Sequence, residues 1–187
     1  MSRVKPVFRP SDYPGNPDEQ TRRDLAELFD FLVPGAADPE IDKPHTGMAI
    51  AAHNPRFALN LAKLTNHVAL GLGWSQRKDL LELAVQAVNL HFKCDFSFVT
   101  RLPKADATGI GMERIAALPF WRNSNLFDEE QRLVLEYVEA VVSGDVPDAL
   151  FAKVAGQWGE TGAVELTSVI ATFSAWAMLI NAARPQL

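Results

Sequence analysis

The chain has 187 residues, 48% of them hydrophobic and 22% charged, a balance that suits one globular domain with a sizeable core and excludes a disordered chain. The formal net charge of −5 lacks the basic surplus of a general nucleic-acid binder. One cysteine excludes both an intrachain disulfide and a self-contained cysteine-based zinc site.

Residues 1–17, "MSRVKPVFRPSDYPGNP", carry four of the twelve prolines and no apolar h-region, so they read as an extended arm and not as a signal peptide. From Asp18 the pattern turns helical, with acids early and Leu25, Leu28, Phe29 and Leu32 spaced three and four apart. "VPGAADPEIDKPHTG" breaks it, and "TGMAIAAH" is a short helix. "NPRFALNLAKLTNHVALG" opens with Asn54 as N-cap and Pro55 at the first helical position, and Gly71 and Gly73 end it. "WSQRKDLLELAVQAVNLHFK" is expected to start from Ser75 as N-cap. "DATGIGMERIAALPFWRNSN" reads as a short helix and a loop closed by Pro119. "FDEEQRLVLEYVEAVVSG" starts from Asp128, with acids in the first turn to suit the helix dipole. "VPDALFAKVAGQWG" is a shorter helix, and "ETGAVELTSVIATFSAWAMLINAA" the last long one, stopped by Pro185. No run alternates with period two. The expected fold is therefore all-α: seven to nine helices with short connections, an arm over residues 1–17 and a single helical domain over residues 18–187. No apolar run reaches the roughly 20 residues of a membrane span, which leads to the expectation of a cytoplasmic protein without nucleic-acid or membrane partners.

Two polar stripes could carry chemistry. Glu82, Gln86, Asn89 and Lys93 step by four, three and four on a helix that is otherwise Leu, Val and Ala. A buried carboxylate needs partners, and burial moves it toward the working range of a general acid or base. The same spacing also describes a solvated edge or a hydrogen-bond network. On the preceding helix, Arg56, Asn60, Lys63 and His67 form a cationic stripe that would complement Glu82 if the two helices pack side by side; an ordinary wet face is the alternative. His91 lies among Leu80, Ala84 and Ala87, where a hydrogen-bonded core or interface histidine is the ordinary explanation. No histidine–carboxylate grouping has metal-ligand spacing, so no metal is expected.

The stretch "DLLELAVQAVNLHFKCDFSF" resembles the central motif of the carboxymuconolactone decarboxylase and alkylhydroperoxidase-D-like proteins. In that motif a Glu is followed twelve positions later by a Cys, often by a second Cys three further on, and by a His four beyond that. Glu82 and Cys94 match the spacing, while Ser97 and Arg101 stand where the second Cys and the His would be. The resemblance extends over roughly residues 48–183 in the ordered succession of helices. It implies an alkylhydroperoxidase-D-like helical bundle that assembles as a homo-oligomer, a trimer or hexamer or else a dimer.

A dithiol peroxidase needs a second sulfur to resolve the oxidised one, and this chain has none. The decarboxylase side of the family implies a cofactor-free lyase, isomerase or hydrolase acting on a small carboxylated or oxygenated ring compound. The candidate catalytic residues are then Glu82 and His67, with His91 in reserve and Cys94 at the family's thiol position. Arg56 and Arg101 are the candidate carboxylate binders, and Gln86 and Asn89 complete the polar stripe. Two other functions stay open: a thiol-dependent hydroperoxide reductase using Cys94, and a non-catalytic oligomeric binding protein on the same fold.

Overall fold

A computed structural model describes residues 2–186; Met1, the start of the expected arm, and Leu187 lie outside the described residues. The described residues hold nine α-helices, short 3-10 turns and no strand, as the absence of period-two alternation implies. The chain divides into two compact units, Met1–Asn66 with Leu179–Leu187, and His67–Met178.

In the first unit the arm makes one 3-10 turn and is held by its backbone. Val7 N–H donates to Ala49 O (2.9 Å), Ile41 N–H to Phe8 O (2.8 Å) and Arg3 N–H to Ala183 O (2.8 Å). Helix α1 (Glu19–Leu32) starts at Asp18, whose carboxylate accepts the Thr21 N–H at 2.7 Å, and it buries Leu25, Leu28 and Phe29. Helix α2 (Thr46–Ala51) is short and mostly buried, and α3 (Pro55–Asn66) follows it. The Asn54 cap is borne out, since its Oδ1 accepts the Phe57 N–H at 3.0 Å. Arg56 and Lys63 of α3 turn to α1. Arg56 pairs with Asp24 and, at 2.9 Å, with Glu27, and Lys63 reaches Glu27 at 3.5 Å.

The second unit opens on a π-helical turn, His67–Gly71. Helix α4 (Lys78–His91) begins two residues later than Ser75 as N-cap predicts. Trp74–Gln76 form a 3-10 turn, and the buried Ser75 hydroxyl donates to Val68 O at 2.6 Å instead of capping α4. Leu80, Leu83, Ala84, Val85 and Val88 are wholly buried, so α4 is the core helix of this unit. Two helices unread in the sequence follow, α5 (Asp95–Thr100) and α6 (Leu102–Ala107), then α7 (Met112–Ala117). Leu83, Ala105, Ile110, Ile115, Leu118, Phe127 and Leu135 form one apolar cluster that fixes α4, α6 and α7 against α8 (Glu129–Ser143). The Asp128 cap is borne out as a full capping box with Gln131.

The last two expected helices are one element, α9 (Asp148–Ala183), kinked where Gly159 adopts φ 76° and ψ 166°. Its final residues, from Leu179, belong to the first unit. By length and composition α9 could cross a membrane, against the sequence expectation that no run is long enough; 56% of its most apolar window is buried within the fold.

Candidate functional site

Three members of the expected polar stripe are buried on α4: Glu82 and Gln86 are fully enclosed, and Asn89 is 2% exposed. The fourth, Lys93, is exposed beyond the end of the helix, because α4 stops at His91. Each buried member has a protein partner, so the network reading of the stripe accounts for its amides. Asn89 Nδ2 donates to Gln86 Oε1 (3.3 Å), and Gln86 Nε2 donates to Phe98 O (3.2 Å), which ties α4 to α5.

Glu82 is held differently. Both of its oxygens accept from one guanidinium: Arg101 Nε donates to Oε1 at 3.0 Å and Nη2 to Oε2 at 2.5 Å. This is the planar fork-to-fork pairing in which Arg differs from Lys. The Glu82 side chain is 1% exposed and that of Arg101 is 20% exposed, so the pair is closed on the acid side and reachable on the cation side. The guanidinium also lies over the Phe173 ring of α9, 5.2 Å from its centroid.

The turn from α4 into α5 brings Arg101 round to Glu82. Lys93 takes a left-handed conformation (φ 53°), and Cys94 N–H donates back to Asn89 O at 2.8 Å, the 6→1 bond of a Schellman stop. Glycine is the usual residue there, so the sequence gives no sign of the stop. Pro103 looks like a breaker but sits in the first turn of α6, where its missing N–H costs nothing.

Two further cations belong to this centre, and the sequence reading missed both. Lys78 lies one turn before Glu82 on α4, a spacing from which it could have been found. Its Nζ donates to Ala69 O (3.0 Å) and Ser75 O (2.8 Å). Lys104 lies one turn after Arg101 on α6, and its backbone N–H donates to Arg101 O at 3.0 Å. Lys104 is exposed overall, yet the protein packed around it desolvates its ammonium and pulls its pKa down. Arg101 and Lys78 add to that shift, and Glu82 opposes it.

The other candidates lie elsewhere. His67 is exposed, with its ring packed so closely over Gly71 that a Cβ there would meet Nδ1 at 2.8 Å. His91 is exposed at the end of α4, edge-on to Phe92 (centroids 5.0 Å apart), and its charge acts on Glu139 of α8. Arg56 is engaged by Asp24 and Glu27, so the cation at Glu82 is Arg101. Cys94 is 1% exposed, and burial pushes its thiol up, against the pull of the Ser97 backbone N–H. A cleft of about 630 Å³ opens in the first unit between the arm and α1, lined by Tyr13, Arg22, Leu25 and Phe29 among others; none of the candidate residues lines it.

No family model matches the chain, and no solved structure matches it. One relative is an uncharacterized protein, YnjA, of Escherichia coli (strain K12). The two are 32% identical over 112 residues, 55% of this chain and 61% of YnjA's own length.

Proposed function

We propose that this protein is a cofactor-independent acid–base enzyme of the kind that carboxymuconolactone decarboxylase represents, acting on a small carboxylated or oxygenated ring compound. The observation that carries this reading is the bidentate Glu82–Arg101 pair. It joins the first and last positions of the motif that the sequence resembles, in a chain that has lost the motif's second sulfur and its His. Arg101 has its fork engaged by Glu82 on one side and a partly exposed edge on the other. A substrate carboxylate can draw the guanidinium outward, sharing it with Glu82, and so bring an acidic group and a cation to bear on one small molecule. The thiol-dependent alternative gains nothing from a buried cysteine whose thiol is pushed up.

The proposal includes self-assembly. On the unit containing His67–Met178, helix α9 presents Val164, Ser168, Ala171, Ala175 and Met178 at spacings of four, three, four and three, with Val164 60% and Met178 53% exposed. A repeat of this period is the seam of a helix pair. Sedimentation of the wild type and of Met178→Glu is expected to show an oligomer that the charge weakens; a monomeric wild type would remove this part.

The catalytic reading is tested by incubating the protein with γ-butyrolactones bearing one or two carboxylates and following ring opening and CO2 release by NMR. Turnover is expected without added metal or organic cofactor. Arg101→Lys, which keeps the charge and loses the fork, is expected to raise KM about tenfold or more, as loss of roughly 1.4 kcal/mol of binding would. Turnover by the wild type with an Arg101→Lys profile identical to it would exclude Arg101 as the carboxylate binder.

A further inference from the structure

The cleft between the arm and α1 has no part in the Glu82–Arg101 centre. Its floor is one face of α1, where Arg22, Leu25, Ala26, Phe29 and Asp30 recur three and four apart and all line it. Leu25 is 3% exposed and Phe29 1%, so the middle of the floor is apolar. Pro10, Tyr13 and Pro17 of the arm form one wall, and Gly35 and Pro39 beyond α1 the other. The Tyr13 hydroxyl donates to His53 O at 3.3 Å, which fixes its ring. Arg9 ties the two walls together, paired with Asp38 and, at 2.5 Å, with Glu40, while Ile41 N–H donates to Phe8 O at 2.8 Å. The frame holds the cleft open, and its volume of about 630 Å³ falls within the roughly 300–1,000 Å³ of small-molecule sites.

The floor carries opposite charges at its two ends. Arg22 and Asp30 lie roughly 12 Å apart along the helix axis, at 1.5 Å per residue, and both are exposed. Arg22 Nη1 donates to Asn16 Oδ1 at 3.4 Å, and the guanidinium has no ion pair among the described residues. Asp18, the nearby acid, is committed to the Thr21 N–H at 2.7 Å as the cap of α1. Asp30 has neither a side-chain hydrogen bond nor an ion pair among the described residues. We propose that this cleft is a second binding site, for a small linear amino-carboxylate. The carboxylate pairs with Arg22, the apolar body lies over Leu25, Ala26 and Phe29, and the ammonium meets Asp30. The apolar floor supplies most of the affinity, and the two exposed charges supply orientation and selectivity. The site makes and breaks no bond, and it stands independently of the acid–base reading.

Calorimetric titration of the full chain with three ligands of one length tests the site: octanoate, its ω-amino derivative and the dicarboxylate suberate. The ω-amino acid is expected to bind tightest, with Kd of roughly 1 mM or below, octanoate next and suberate weakest. Asp30→Lys is expected to exchange the ranks of the ω-amino acid and suberate. Arg22→Gln is expected to weaken all three about threefold or more, as loss of one exposed ion pair would. Ala26→Trp, at an exposed position of the floor, is expected to fill the cleft and abolish binding with the helical circular dichroism retained. Arg101→Lys is expected to leave all three affinities unchanged. Three ligands bound alike by the wild type, or none bound at millimolar concentration, overturns the proposal without any variant. Binding that survives Ala26→Trp, or that responds to Arg101→Lys in place of Arg22→Gln, puts the ligand outside the cleft and overturns it as well.

Discussion

Glu82 shows how much one side chain depends on one partner. With 1% of its side chain exposed, it has Arg101 on both oxygens and sits among Leu, Val and Ala. Removing the guanidinium leaves a buried acid with nothing to replace water. Arg101→Met is therefore expected to lower the unfolding free energy by about 3–5 kcal/mol, measured by urea denaturation. Glu82→Leu combined with Arg101→Met should recover most of that loss, since an apolar pair of similar volume avoids desolvating either charge. Additive losses would mean that the two side chains do not act as a pair. Asp24 makes the complementary case in the first unit. Its hydrogen bond from Arg56, with a second from Gln20, holds the carboxyl below the usual carboxylate range against the opposing effect of burial. At acid pH the unfolded chain then binds the extra proton, so stability rises with pH there. The Asp24 contribution is fully present above the ordinary carboxylate value near ~4 and is lost as pH falls through its lower folded value. The stability gap between wild type and Asp24→Asn is expected to be widest at neutral pH and to close below pH ~4; a gap independent of pH would exclude the ionised carboxylate as its source.

Elements were legible where their ends carry side-chain signals. Asn54, Asp18 and Asp128 each accept a backbone N–H at the start of a helix, as short polar residues before an apolar period should. Ser75 has the same chemistry but spends its hydroxyl on Val68 O, because a 3-10 turn intervenes before α4. α5 and α6 were missed for a related reason: each is six residues long, too short for a period to register, and Pro103 resembles a break. The two C-terminal helices were expected as separate segments, and Gly159 is where the distinction resides. Its φ of 76° and ψ of 166° fall in a region open essentially to glycine, while a Cβ there would touch nothing within 4 Å. Gly159→Ala is thus a backbone test free of steric collision. It is expected to cost about 1–3 kcal/mol in chemical denaturation. A neutral result would mean that α9 straightens through the kink at no loss.

Across the whole molecule, the candidate site was half legible. Glu82 and Arg101 could be named from motif spacing, yet their pairing across 19 positions depends on the left-handed Lys93 and on two helices the sequence conceals. The charge balance was misleading in the same way. A chain of net charge −5 sets Arg101 on one buried carboxylate, with Lys78 one turn before Glu82 on α4 and Lys104 one turn after Arg101 at the start of α6. Composition averages over the surface, whereas a ligand meets the local field. A small polyvalent anion should therefore bind the native state here and not the unfolded chain, and raise stability by RT ln(1 + [L]/Kd), about 2.7 kcal/mol at a hundredfold excess over Kd. Citrate at pH 7 is the probe, with sodium chloride at matched ionic strength to subtract screening, which at 0.15 M acts over roughly 8 Å. Citrate is expected to raise Tm beyond the salt control in the wild type, and the excess to shrink in Lys104→Met, which removes a cation that has no ion-pair partner among the described residues. Equal shifts in citrate and chloride would mean that the three cations are balanced by the protein itself, leaving no net field for a ligand to use.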